Sequence, residues 1–350
     1  MSVSFRFALS FAFLLACTRA GEPTPASSPA DAMRANPSTC PAHAQAPSLL
    51  PNTPKEVETL DYWLANGKDE LLLDEKALSV QDQALRTGAD GSVRLVDLTQ
   101  PLGGPALQSA LQERLSAYRE GFDNGQYQSK GDLKALDGAG FSEQHELRVA
   151  LAPLDLRCVP FRESIATQRG SEGFDRNRCS QARAQEPIEI LGRLHGMRLA
   201  RTASAFGFIA DDAKLSPVVD DKYSARFREH PTLSLQKDVE LAGQKLSAGT
   251  LLRGNTLIAT ATGIVEARAL KSDEATPTAR PLTRHAFLRE AFRYLRTPYG
   301  WGDANGGRDC SRFVLDVLAT FGLGMPRTSA NQSRAGRYSV EVPESTSETE

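Results

Sequence analysis

The residue best placed to do chemistry is Cys310, in the stretch GWGDANGGRDCSRFVLDVLATFGLGMPR, residues 300–327. It follows a glycine-rich loop and directly precedes an apolar run at helical spacing, Phe313, Val314, Val317, Leu318 and Phe321, which Gly322 closes. A cysteine at a helix start faces unpaired backbone N–H groups and the positive end of the helix dipole, which favour negative charge on its sulfur. The same donors suit an oxyanion forming on a carbonyl under attack. The chemistry indicated is nucleophilic attack on an acyl carbon. A small buried hydrophobe at a helix start is the plain alternative.

A helix and a turn must position this cysteine. Thr283 is an N-cap, and Phe287, Ala291, Phe292 and Leu295 share a face, so the spacing predicts a core-packed helix over 284–296. Pro298 prevents its continuation, and 300–307 reads as a turn.

The run YLRTPYGWG, followed by GGRDCSRFVLDVLATFGLGMPRTSANQS, resembles the signature of the NlpC-type cell-wall cysteine peptidases, a papain-like family that cleaves peptidoglycan stem peptides. In that family a TPY-x-WG turn precedes DCS-x-F, and an LPR-x-S-x-x-Q segment follows the nucleophile helix. The resemblance implies that Cys310 is the nucleophile. It implies that Tyr299, Asp309 and Ser311 form the pocket for the L-Ala end of the substrate, the Asp309 carboxylate holding a free α-amine through a charge-assisted hydrogen bond. Asp309 as a simple helix cap is the alternative. Arg312 stands where the family most often has Gly, and a guanidinium there is expected beside the sulfur.

A cysteine peptidase also needs a His to take and return the thiol proton. The resemblance places that His after the cysteine, yet His43, His145, His195, His230 and His285 all precede Cys310, and only His285 falls in the presumed catalytic segment. The expectation is therefore the first half of a peptidase domain, 281–350, whose His-bearing sheet is missing or supplied by a separate chain. Without a base, the alternative is a non-catalytic wall-binding lipoprotein, and the blandest reading is a lipoprotein scaffold in which Cys310 is structural.

The remaining chain is modular: 350 residues suggest about two or three domains. Residues 57–150 carry helical periodicity, as in KEVETLDYWLANG and GPALQSALQERLSAYREGF, with Gly67 and Gly121 as stops. Residues 151–280 turn to short alternating runs, which predict two small β-barrel modules at 151–215 and 216–280. The first resembles the bacterial Src-homology-3-like wall-binding module, with Gly207-Phe208-Ile209 in place of its GW(I/V) strand and Phe206 and Phe208 as candidate ligand-facing aromatics. One branch of the resembled family carries a helical stabilising domain and two such modules before the peptidase domain. The expected fold class is α+β and multidomain.

The N-terminus reads as a lipoprotein signal peptide, 1–16, ending in Leu14-Leu15-Ala16-Cys17, which resembles the bacterial lipobox and makes Cys17 the lipidation site. An ordinary signal cut near Ala20 is the alternative, and 17–56, rich in Ala, Pro, Ser and Thr, is a tether. Export to the cell envelope, with a lipid anchor in the periplasm or outer membrane, leaves Cys40, Cys158 and Cys179 free to pair. Cys158 and Cys179 are the expected disulfide, closing a loop of about 22 residues worth roughly 3 kcal/mol. No C-x-x-C pair supports zinc, and no metal or organic cofactor is expected. The formal charge of -2 attracts neither nucleic acid nor anionic lipid, so partner choice must come from a local site. The partners that the two resemblances imply are peptidoglycan stem peptides or murein fragments and, through the lipid, a membrane.

Overall fold

The computed structural model describes residues 53–88, 93–167, 174–254 and 256–335. The signal segment, Cys17, Cys40 and His43 lie outside the described residues. The chain divides into two units, Met1–Thr59 with Val340–Glu350, and Leu60–Ser339. Of the first, residues 53–59 are described and form a single 3-10 turn, Lys55–Glu58. The remaining described residues belong to the second.

This second unit mixes helix and sheet. It opens with α1 (Leu60–Ala65), β1 (Leu71–Leu73), α2 (Glu75–Thr87), α3 (Gly104–Asp123) and β2 (Tyr127–Ser129). Helix α2 starts where Asp74 accepts a hydrogen bond from the Ala77 N–H at 2.7 Å, and it stops at Gly88 in the left-handed conformation. Helix α3 does not stop at Gly121 as the sequence suggests. A Cβ at that position would lie 2.3 Å from the Tyr127 ring, so the glycine serves the close approach of β2 to the helix.

Strands β3 (Ser142–Val149), β4 (Leu154–Arg157), β5 (Ile165–Thr167), β6 (Arg178–Ala182), β7 (Pro187–Leu194), β8 (Met197–Arg201) and β9 (Phe206–Ala210) follow. All but β5 form one antiparallel sheet in the order β3-β7-β8-β9-β4-β6, while β5 pairs with β2. Among the described residues no strands close into a barrel. The strand β7 is buried on both faces because its register slips against β8 between Ile190 and Gly192. The extra residue shifts the alternation, so Ile188 and Ile190 enter one core while Leu191 and Leu194 enter the other, with Leu107, Leu111 and Leu115 of α3. Phe208 belongs to that second core and is fully buried, whereas Phe206 is half-buried beneath Arg114.

Next come α4 (Asp221–Arg228), β10 (Leu233–Leu235), β11 (Val239–Leu241), β12 (Gln244–Leu246), β13 (Leu251–Leu252), β14 (Leu257–Thr260), β15 (Gly263–Glu266) and β16 (Ala275–Pro277). They make a three-stranded sheet, β13-β10-β16, and two hairpins around a small core of Leu235, Leu241, Leu246, Leu252 and Ile258. The chain then runs through β17 (Leu282–Thr283), α5 (Arg284–Phe292), α6 (Cys310–Ala319) and α7 (Ser329–Gln332).

The helical segment expected over 57–150 serves two different cores. Strand β1 pairs with β17, Leu71 opposite Thr283, and Leu78 and Leu85 of α2 pack with Leu282, Phe321 and Leu323. Helix α3 instead covers the six-stranded sheet. Helical spacing identifies an apolar face but not the surface it meets. No described helix is long and apolar enough to cross a membrane.

Candidate active site

Helix α5 begins as expected, Thr283 Oγ1 accepting from the Ala286 N–H at 3.2 Å. It ends at Phe292, short of the predicted boundary, and Leu295 lies exposed rather than in the core. Arg296 takes a left-handed turn (φ 65°), and Pro298 disfavours helix at the residue before it.

The loop that follows folds back on itself. Tyr299 and Arg308 form a parallel bridge, with the Gly300 N–H donating to Arg308 O at 3.2 Å and the Arg308 N–H donating to Pro298 O at 3.1 Å. Glycine is required at the crossing, since a Cβ on Gly300 would sit 2.3 Å from Ala304 O. Gly302, at φ 57°, has Arg178 O of β6 at 2.8 Å from a built Cβ. Asp303 beside it also adopts a left-handed conformation (φ 68°) while fully buried. Such strain in a non-glycine residue persists only where surrounding contacts hold it.

Those contacts make a buried ionic lattice. Asp303 Oδ2 accepts from the Gln181 N–H of β6 at 3.2 Å and lies 3.5 Å from Arg312 Nη1, and its Oδ1 is 3.2 Å from Arg327 Nη2. Arg327 also grips Asp309 with two parallel bonds, Nη1 to Oδ1 at 3.0 Å and Nη2 to Oδ2 at 2.7 Å, and its Nε donates to Ser180 Oγ at 2.8 Å. Asp309 is the N-cap of α6, accepting from the Arg312 N–H at 2.9 Å, and it further accepts from Ser311 Oγ at 3.0 Å and the Gly302 N–H at 3.1 Å. Five donors thus meet a carboxylate with about four lone-pair sites. Burial pushes the Asp309 carboxyl up, but Arg327 and the other donors outweigh it and hold it below the usual carboxylate range.

Cys310 stands at the first position of α6, free and exposed. The Arg312 N–H is taken by Asp309, so the remaining N–H groups at the start of the first turn are those of Cys310 and Ser311. Ser311 is buried, its hydroxyl bonded to Asp309 and Arg327 and its carbonyl accepting from Gln332 Nε2 at 2.8 Å. Tyr299 is more than half exposed. Partial burial, with the charges of Cys310 and Asp309, raises its phenol above the ordinary value. Phe174 and Trp301 pack next to Tyr299, Trp301 donating to Asp175 O at 3.0 Å.

Arg312 differs from its expected role beside the sulfur. Its guanidinium is buried and engaged by Asp316 at 2.6 Å, Gln181 O at 2.9 Å and Asp303. Burial lowers its pKa, and the charges of Asp316 and Asp303 more than reverse that, so it is raised. Arg308 joins Asp316 at 2.7 Å and lies over the Tyr294 ring. Cys158 and Cys179 are joined by a disulfide between the end of β4 and β6, and Ser180 and Gln181 of the lattice directly follow Cys179.

None of the described histidines is bonded to Cys310. His285 Nε2 is 3.0 Å from Gly67 O, and its backbone N–H donates to Asp69. His145 pairs with Glu143, and His230 with Asp82 and Arg86. His195 sits at φ 47° in the turn between β7 and β8.

The sequence motif spans Arg327 and Gln332 without indicating a task for either, and it presents Asp303 only as part of a turn. The signal available was composition: an acid within a glycine-rich loop and an arginine between Pro326 and Thr328 are charges without a local partner.

Residues 296–348 match the NlpC/P60 family, a family of cysteine peptidases associated with the cell wall. No curated protein matches the chain. Among solved structures, a novel NlpC/P60 endopeptidase from Photobacterium damselae subsp. piscicida is similar at 14% identity with a TM-score of 0.57, over 78% of this chain and 69% of that one. At that identity the likeness establishes the fold.

Proposed function

We propose that this chain is an exported peptidoglycan hydrolase, a cysteine endopeptidase for the γ-D-Glu to diamino-acid amide of stem peptides. The observation that carries the reading is the free, exposed Cys310 at the start of α6, directly after a capping aspartate locked by Arg327. The Cys310 sulfur attacks the amide carbon, a C–S bond forms as the C–N bond breaks, and the amine leaves with a proton. Water then hydrolyses the thioester and restores the thiol. The N–H groups of Cys310 and Ser311 stabilise the oxyanion in both halves.

Asp309, with every lone pair occupied, acts first as a positioning residue. Holding a free L-Ala amine would require Arg327 to give way, and Tyr299, more than half exposed on the loop that leads to Cys310, is the group read as contacting the substrate. The β modules are read as Src-homology-3-like wall-binding units and Cys17 as a lipid anchor in the cell envelope.

A second reading is favoured by the histidines, none of which is bonded to Cys310 among the described residues. On it the chain binds wall without cutting, or cuts only with a histidine brought by another polypeptide. Mass-spectrometric assay of L-Ala-γ-D-Glu-diaminopimelate with the purified chain, beside Cys310→Ala, separates the two. Cleavage lost in the variant supports the peptidase. A folded chain that leaves the peptide intact yet sediments with peptidoglycan supports the second reading.

A further inference from the structure

Beside α6, sharing Arg312 and Asp316 with the ionic lattice, lies a cavity of about 120 Å³, walled by α6, the chain around β13 and the segments flanking β7 and β9. Arg253 lines it and is 7% exposed. Its Nε donates to Glu229 O at 3.0 Å, which leaves both terminal nitrogens of the fork, and among the described residues no carboxylate lies within ion-pair distance of it. A buried cation without a counter-charge is costly, and native proteins retain one only where something compensates it.

The other charges on the wall are already committed. Arg86 pairs with Asp82 and meets His230, and Arg312 and Asp316 pair with each other. Arg183 reaches Gln181 and, at 3.4 Å, Asp316, while Glu186 accepts from the Arg183 backbone N–H. Glu186 acts on Arg253 only at a distance, and of the guanidinium groups on this wall Arg253 is the one whose two terminal nitrogens have no direct partner among the described residues. Leu95, Leu251 and Leu315 supply apolar wall.

We propose that this cavity is a binding site for a small carboxylate, its two oxygens paired with the Arg253 fork and its hydrocarbon body against Leu95, Leu251 and Leu315. A planar fork with two unused donors matches a carboxylate bidentately. Glu186 and Asp316 on the same wall oppose a dianion, so a monoanion is preferred to phosphate. Burial brings the Arg253 guanidinium down to about 10, Glu186 opposing the fall and Arg86 adding to it, which agrees with a cation that lacks its partner. The site is independent of hydrolysis at Cys310.

The test is calorimetric titration and thermal unfolding of the full chain with sodium propionate, against sodium phosphate and sodium chloride at matched ionic strength. Saturable propionate binding that raises the midpoint is expected, lost in Arg253→Gln and weakened roughly tenfold in Arg253→Lys, which keeps the charge but not the fork. Absence of saturable binding, preference for phosphate, or unchanged binding in Arg253→Gln would overturn the proposal. Should Arg253→Gln not fold, wild-type crystals soaked in 3-bromopropionate decide. An anomalous bromine peak in the cavity beside Arg253 supports the site, and a peak only elsewhere, or none, sinks it.

Discussion

At the scale of single residues, the site is organised by Arg327 as much as by the cysteine. From a 9% exposed position its guanidinium makes two hydrogen bonds to Asp309 and lies within ion-pair distance of Asp303. Arg327→Met should destabilise the protein by about 3–5 kcal/mol, because it removes the guanidinium that two buried carboxylates share. Denaturant unfolding measures this, and a loss under about 1 kcal/mol would mean the lattice is dispensable. The pH dependence has a definite sign. Asp309 and Asp316 are held below their ordinary values, Asp316 because Arg312, Arg183 and Arg308 outweigh its burial. Their stabilisation is present above the unfolded Asp value of about 3.9 and disappears as pH falls through the folded values. The Arg327→Met penalty should therefore shrink in strong acid, and a penalty constant with pH would contradict the assignment. Cys310, Tyr299, Asp309 and Ser311 could be named as candidates from the sequence because they lie close together in one motif. Asp303 and Arg327 meet only through space, and no periodicity announces an ion pair between two loops.

At the scale of elements, helix α6 depends on a loop that glycine alone permits. Gly302 combines a left-handed backbone with direct contact on Arg178 O. Gly302→Ala should cost about 1–2 kcal/mol in backbone conformation, with the overlap added. The expected readout is a lower thermal midpoint together with a changed rate of Cys310 alkylation by a bulky maleimide, slower if the loop closes over the sulfur and faster if it opens. An unchanged midpoint would show that the loop tolerates a side chain. Helix starts were readable from Thr283 and from the cap alternative at Asp309, whose side chains cap N–H groups three residues on, whereas the cap at Asp74 was not read. Helix ends were read less well: the left-handed turn at Arg296 and the packing of Gly121 against Tyr127 are set by neighbours that leave no helix-stop signal in the local sequence. The register slip in β7 likewise turns one apolar run into a strand serving two cores, which alternation alone does not reveal.

At the scale of the whole molecule, the segment around Cys310 is completed by chain from far upstream, since β1 and α2 supply the strand and helix that close the core of Leu282, Phe321 and Leu323. Residues 281–350 expressed alone should lack a cooperative unfolding transition by circular dichroism, whereas residues 60–339 should show one. A cooperative transition in the short piece would show that these contacts are auxiliary. The α+β class was legible from the change of period along the chain, from helical spacing to strand alternation and back. That the first helices divide between two cores was not, because a helical face carries no address.

The disulfide introduces a contradiction that any bench chemist handling this protein will meet. Cys158–Cys179 braces the strand whose Ser180 and Gln181 hold Arg327 and Asp303, and Cys310 is a free, exposed thiol. Mild reductant protects the Cys310 thiol from oxidation, and strong reductant removes the brace behind it. Thiol reactivity at Cys310, followed against dithiothreitol concentration, should rise and then change as the lattice loosens. An environment fit for this molecule is thus one oxidising enough to keep one pair of sulfurs joined and gentle enough to leave a third alone.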